Sequence, residues 1–111
     1  MDFDLTEHQR AVRADAREFV REQVAPNARD LDRAGDHPTA ILEAAGDRGY
    51  AGLTVGEAHG GQGEGLVELA LVTEELSAAL MPVASALALH LGVAEAVERL
   101  GTDAQRERFL P

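Results

Sequence analysis

A chain of 111 residues, 45% hydrophobic, is the size of one domain with enough apolar side chains for a real core. Its formal net charge is -10 and all its basic residues are arginine, so its surface repels phosphate and argues against nucleic acid and anionic lipid as partners. Cysteine is absent, which excludes disulfides and thiolate metal sites and fits a cytoplasmic location.

Aromatic residues make up only 4% of the chain, which leaves the packing to Ala, Leu and Val. The acidic opening Met1-Asp2-Phe3-Asp4 has neither the basic start nor the apolar stretch of a signal peptide. Thr6 with Gln9 forms a capping box that opens the first helix. Val12, Ala16, Phe19, Val20 and Val24 then lie at helical spacing, with Arg10, Arg13, Arg17 and Arg21 on another face. Pro26 lacks an N–H and is expected to break or kink this helix, with a short helical piece running on to Ala34-Gly35. Pro38 suits the first turn of the next helix, whose apolar face is Ile41, Leu42 and Ala45, and Gly49 is a candidate left-handed cap.

Leu53-Thr54-Val55 is the one short apolar piece that could be extended, and the glycine-rich stretch from Gly56 to Gly65 follows it. Leu66, Leu69, Ala70, Val72, Thr73, Leu76 and Leu80 make an amphipathic helix with Glu68, Glu74 and Glu75 outside. Pro82 starts another, running through Val83, Leu87, Leu91 and Val97 to Leu100, apolar nearly all round and so expected to be buried on most sides. No Asp, Glu, Lys or Arg occurs from Leu76 to Ala94, a length close to that of a membrane span. Pro82, the many alanines and the acidic flanks Glu74, Glu75 and Glu95 argue against insertion. Thr102 and Gln105 repeat the capping box and open a last short helix ending by Pro111. Five or six helices with short connections predict an all-α antiparallel bundle over residues 1–111.

No catalytic constellation emerges from the residues themselves. The glycine stretch Gly60-Gly61-Gln62-Gly63-Glu64-Gly65 misses the dinucleotide register because Leu66 stands where the last glycine should, and Glu57 and Glu64 carry the wrong charge for phosphate. It reads instead as a turn that lets backbone pass close to a neighbour. None of His8, His37, His59 and His90 has a glutamate three residues before it or a second histidine four residues away, so no metal-ligating spacing is visible. His90, in the most apolar helix, either bonds a backbone carbonyl or faces a ligand cavity. Ser77 and Ser85 have no neighbouring His or Asp that suggests a nucleophile.

The order of these pieces resembles the N-terminal domain of acyl-CoA dehydrogenases, over essentially the whole chain. The opening Leu5-Thr6-Glu7-His8-Gln9 looks like that family's start, and Phe19 through Ala25-Pro26 like the end of its first helix. Asp32-Arg33 followed by His37-Pro38, then Gly49-Tyr50-Ala51-Gly52-Leu53-Thr54-Val55, are similar to its next segments. His59-Gly60-Gly61-Gln62-Gly63, Glu74-Glu75-Leu76 and Gly101-Thr102-Asp103-Ala104-Gln105 through Phe109-Leu110-Pro111 complete the series. Two departures are Gly56 where proline is usual and His59 where tyrosine is usual.

The resemblance implies α,β-dehydrogenation of acyl-CoA thioesters by an FAD enzyme that passes electrons to an electron-transfer flavoprotein or similar acceptor and works as a homo- or hetero-oligomer. It implies that the catalytic base and most flavin contacts belong to a middle β-domain and a C-terminal helical domain outside these residues. No residue of this chain is then catalytic or cofactor-binding. The domain's share is one wall of the acyl-chain pocket, for which register at Leu91-Gly92 gives Val83, Ala84, Leu87 and Leu91. Ordinary core packing is the alternative for these four, and a non-catalytic helical module that binds a partner protein or apolar ligand is the alternative for the chain.

Overall fold

A computed structural model describes residues 1–111 as an all-α domain. Its helices are α1 (Glu7–Phe19), α2 (Ala25–Ala34), α3 (Thr39–Asp47), α4 (Leu66–Leu100) and α5 (Asp103–Phe109). Both expected capping boxes form: Thr6 and Gln9 open α1, and Thr102 and Gln105 open α5, each pair satisfying two otherwise unpaired backbone donors.

Pro26 does not break the first helix. A π-helical turn, Val20–Val24, carries the backbone from α1 into α2, and Pro26 falls in the first turn of α2. The wider turn shifts the hydrogen-bond register where proline has no N–H to give, so the chain stays helical from Glu7 to Ala34. Gly35 then ends α2 in the left-handed conformation. Pro38 caps α3 from just outside its first turn, and Gly49 reverses the chain after it with φ 93°.

Leu53-Thr54-Val55 is not a strand. Leu53 has helical angles (φ -52°, ψ -46°), and short 3₁₀ turns at Tyr50–Gly52 and Glu57–His59 flank the segment. The glycine stretch folds back onto it: Gln62 N–H donates to Gly52, Gly63 N–H to Val55 and Glu64 N–H to Leu53, at 2.8–2.9 Å. A β-carbon on Gly61 would lie 2.0 Å from the Val55 carbonyl oxygen, so only glycine permits this close backbone approach.

Helix α4 bends at Leu80 (φ -155°, ψ 95°), two residues before Pro82, and its halves point different apolar stripes at one core. That core joins Ala16 and Phe19 of α1, Val24, Ile41 and Ala45 of α3, Tyr50, Leu53, and Val72, Leu76, Leu80, Val83, Ala84, Leu87 and Leu91 of α4. The Phe19 and Tyr50 rings meet edge to face, 5.4 Å between centroids. The antiparallel expectation needs correcting between α1 and α4. His8 pairs with Glu64, Gln9 with Glu68 and Arg17 with Glu75, so the two run in the same direction. The residues from α2 through the glycine stretch return the chain to the starting end and make this possible. α5 does fold back on α4, where Arg106 Nε donates to the Glu98 carbonyl at 2.7 Å.

By length and composition α4 could cross a membrane. Its apolar content is explained in part by the core stripe, which takes eight of its residues. The expectation that its second half is buried on most sides fails, because Met81, Leu89, Val93 and Leu100 stand 63–86% exposed. Helical geometry explains this: the other helices cover one side of this half and leave its opposite side open.

Candidate functional site

The second half of α4 has two faces that differ. Val83, Ala84, Leu87 and Leu91, the residues singled out from the sequence, are brought together on one stripe but are only 0–5% exposed. They pack in the core, the alternative reading of that stripe. The open face holds Ser85, Ala88, Leu89, Gly92, Val93 and Ala96, all exposed. These residues recur at intervals of three and four, which places them along one side of the helix.

The open face is not the stripe singled out from the sequence. The usable signal was size. The stripe at 83, 87 and 91 carries Val and Leu, which fill a core, whereas the stripe at 85, 88, 92 and 96 carries Ser, Ala and Gly, which let another surface come close to the helix axis. Phe109 of α5 closes one side of this open face, forming a groove of about 600 Å³ floored by Ala88, Gly92 and Ala96 and walled by Leu89, Val93 and Leu100. No charged side chain lines it. Such a surface can bind an apolar chain or dock apolar protein, but it holds no acid, base or nucleophile.

A second groove lies between the glycine stretch and the other edge of α4, with His59, His90, Val93, Val97 and Leu110 among its lining residues. His90 takes the first of its two readings, a bond to a backbone carbonyl, and also borders this open groove. Its ring Nε2 donates to the Ala51 carbonyl at 3.0 Å. That bond fixes the Nε2–H tautomer and pins α4 to the Tyr50–Gly52 turn. Glu98 adds a second tie, accepting from Gly56 N–H at 3.0 Å.

The glycine stretch does not fit a phosphate or a flavin diphosphate. The space beside Gly61 is filled by Val55 backbone, and the carboxylate of Glu57 packs beside Gly63.

The main polar cluster is structural. The Arg48 guanidinium donates to Asp15 at 2.7 and 3.1 Å, and the Tyr50 hydroxyl donates to the other Asp15 oxygen. The hydrogen bond from Arg48 holds the Asp15 carboxyl below its ordinary pKa. Burial, then the bond to Asp15, pushes the Tyr50 phenol well above its own. The cluster fastens the end of α3 and the following turn to α1.

Comparison with known proteins bears on the whole chain. The model of the acyl-CoA dehydrogenase N-terminal domain matches residues 6–111. The acryloyl-CoA reductase (NADH) of Anaerotignum propionicum is 32% identical over all of this chain and 28% of its own length. The benzylmalonyl-CoA dehydrogenase of Aromatoleum aromaticum is 36% identical over 96% of this chain and 31% of its own. The solved butyryl-CoA dehydrogenase of Megasphaera elsdenii superposes with a TM-score of 0.89 at 29% identity, over 99% of this chain and 30% of that one. The chain thus spans under a third of the length of the relatives it matches.

Proposed function

This chain belongs to the acyl-CoA dehydrogenase family, as its N-terminal helical domain, and we propose that it supplies one wall of the acyl-chain pocket of an FAD-dependent enzyme acting on the α,β carbon–carbon bond of acyl-CoA thioesters. A single observation carries the pocket assignment: the open face of α4 is apolar, free of charge and built of small residues around Leu89. An acyl tail needs such a surface, since each methylene transferred from water gains about 0.8 kcal/mol and asks for no hydrogen bond. Val83, Ala84, Leu87 and Leu91 serve this wall from behind. Their packing against the core sets the rotation of the helix and so the position of Leu89.

The names of the relatives support the thioester substrate and leave both directions of reaction in play, one being a reductase and the other a dehydrogenase. The FAD and the base lie outside these residues in this reading. An electron-transfer flavoprotein or similar acceptor and an oligomeric enzyme complete the proposal.

The test is made in the holoenzyme containing this domain, across a series from butyryl- to palmitoyl-CoA. Leu89→Phe should shift preference toward shorter chains and Leu89→Ala toward longer ones. One methylene gained or lost is worth roughly 1 kcal/mol, so kcat/KM ratios between neighbouring substrates should move several-fold. A flat, unchanged chain-length profile in both variants refutes the wall.

A further inference from the structure

We propose that His8, Glu64 and Glu68 form a binding site for one divalent transition-metal ion of the zinc type, which ties the start of α1 to the start of α4. One nitrogen and two carboxylate oxygens from these residues lie within 4.8 Å of one another. His8 Nε2 sits 2.8 and 2.9 Å from the two oxygens of Glu64. Glu64 lies just before α4 and Glu68 in its first turn, and the Glu68 carboxylate lies near Gly65, where a β-carbon would stand 3.0 Å from Glu68 Oε2. Gln9 Nε2 donates to the other oxygen, Glu68 Oε1, at 3.3 Å and orients that side chain from outside.

Two carboxylates brought this close repel each other, and a cation between them offsets that cost. The imidazole narrows the choice of ion. Nitrogen with carboxylate suits Zn²⁺, Co²⁺ or Ni²⁺, whereas Ca²⁺ and Mg²⁺ prefer oxygen alone. Three protein ligands leave a fourth position to water, and small side-chain rotations bring the donors to the roughly 2.0–2.2 Å that zinc requires. Binding replaces the proton on His8 Nε2 by the metal, so one proton is released when the imidazolium was the starting form. The site escapes a search by sequence spacing because its histidine is 56 residues from its first carboxylate.

The test titrates the chain with Zn²⁺ by calorimetry and follows its melting temperature. One ion should bind per chain, the melting temperature should rise with zinc concentration, and Co²⁺ should give a d–d spectrum with a nitrogen ligand. Because loss of an outer-shell partner alone typically costs about 10–100-fold in metal affinity, His8→Gln and Glu68→Gln should each weaken binding at least tenfold. His59→Gln and His90→Gln should leave it intact, and circular dichroism checks that every variant is folded. Absence of saturable zinc binding, zinc binding that survives His8→Gln in a folded variant, or Ca²⁺ binding as tightly as Zn²⁺ overturns the site.

Discussion

Leu87→Ala separates the two faces of α4. Leu87 is 4% exposed and belongs to the core that spans α1, α3 and α4, whereas Leu89, two positions on, is 74% exposed. Truncation at 87 removes three carbons from the core, worth about 2 kcal/mol in transfer alone at roughly 0.8 kcal/mol per methylene. The cavity left behind adds to this, giving about 2–5 kcal/mol in all. The same truncation at 89 removes surface already in water and should stay within about 0.5 kcal/mol. Urea unfolding followed by circular dichroism reads both. With a slope of about 1–3 kcal/mol per molar, a loss of 3 kcal/mol lowers the midpoint by about 1–3 M. The Leu89 midpoint should hardly move. Equal midpoints for the two variants, or a costly Leu89→Ala beside a silent Leu87→Ala, would mean that α4 is rotated relative to the core and that the wall assignment rests on the wrong face.

Tyr50→Phe should cost roughly 1.5–3 kcal/mol, because the lost bond ends on a charged acceptor, and urea unfolding again reads it. Tyr50 is the only tyrosine, so ultraviolet titration sees it alone. Its raised pKa keeps the phenol neutral through the ordinary tyrosine range, and the stability it adds is present below the unfolded value and lost as pH rises through the folded one. Asp15 works in the opposite sense: its lowered pKa contributes stability above the unfolded value that disappears as pH falls through the folded one, so Asp15→Asn should flatten the acid limb of the stability–pH curve. Gly61→Ala should destabilise by well over the roughly 1 kcal/mol of an ordinary glycine substitution, since its β-carbon would lie 2.5 Å from the Val55 carbonyl carbon as well as 2.0 Å from the oxygen. A Gly61→Ala chain with parental stability would show that the loop is not packed this way.

Much of this was legible in the residues because local chemistry decided it. The two Thr-x-x-Gln boxes, the turn at Gly49 and the close approach at the glycine stretch each depend on a few neighbouring positions, and each forms as read. What could not be read depends on distant partners. Pro26 stays in a helix because a π turn precedes it, and no residue type announces that turn. The parallel course of α1 and α4 follows from where the intervening chain returns, and periodicity has no direction in it. His8 meets Glu64 and Glu68 only through that same course. The face of α4 was ambiguous for a further reason: a helix apolar on every side has no polar stripe to mark which way is out.

Gly92 shows why that open face calls for a partner. It lies inside α4, and a β-carbon placed on it would meet nothing within 4 Å. Alanine would fit, and a glycine in a helix interior costs about 1 kcal/mol relative to it. Nothing within this chain recovers that cost, so the room above Gly92 has a use outside it. The neighbouring Ala88 and Ala96 continue the same shallow floor, and Leu89, Val93 and Leu100 leave apolar surface in water around it. A helix with one apolar stripe in the core and, on the other side, small residues framed by exposed Leu89, Val93 and Leu100 is shaped to be covered twice. One cover is the rest of this domain, and in the proposed reading the other is the acyl tail that the groove at Leu89 admits.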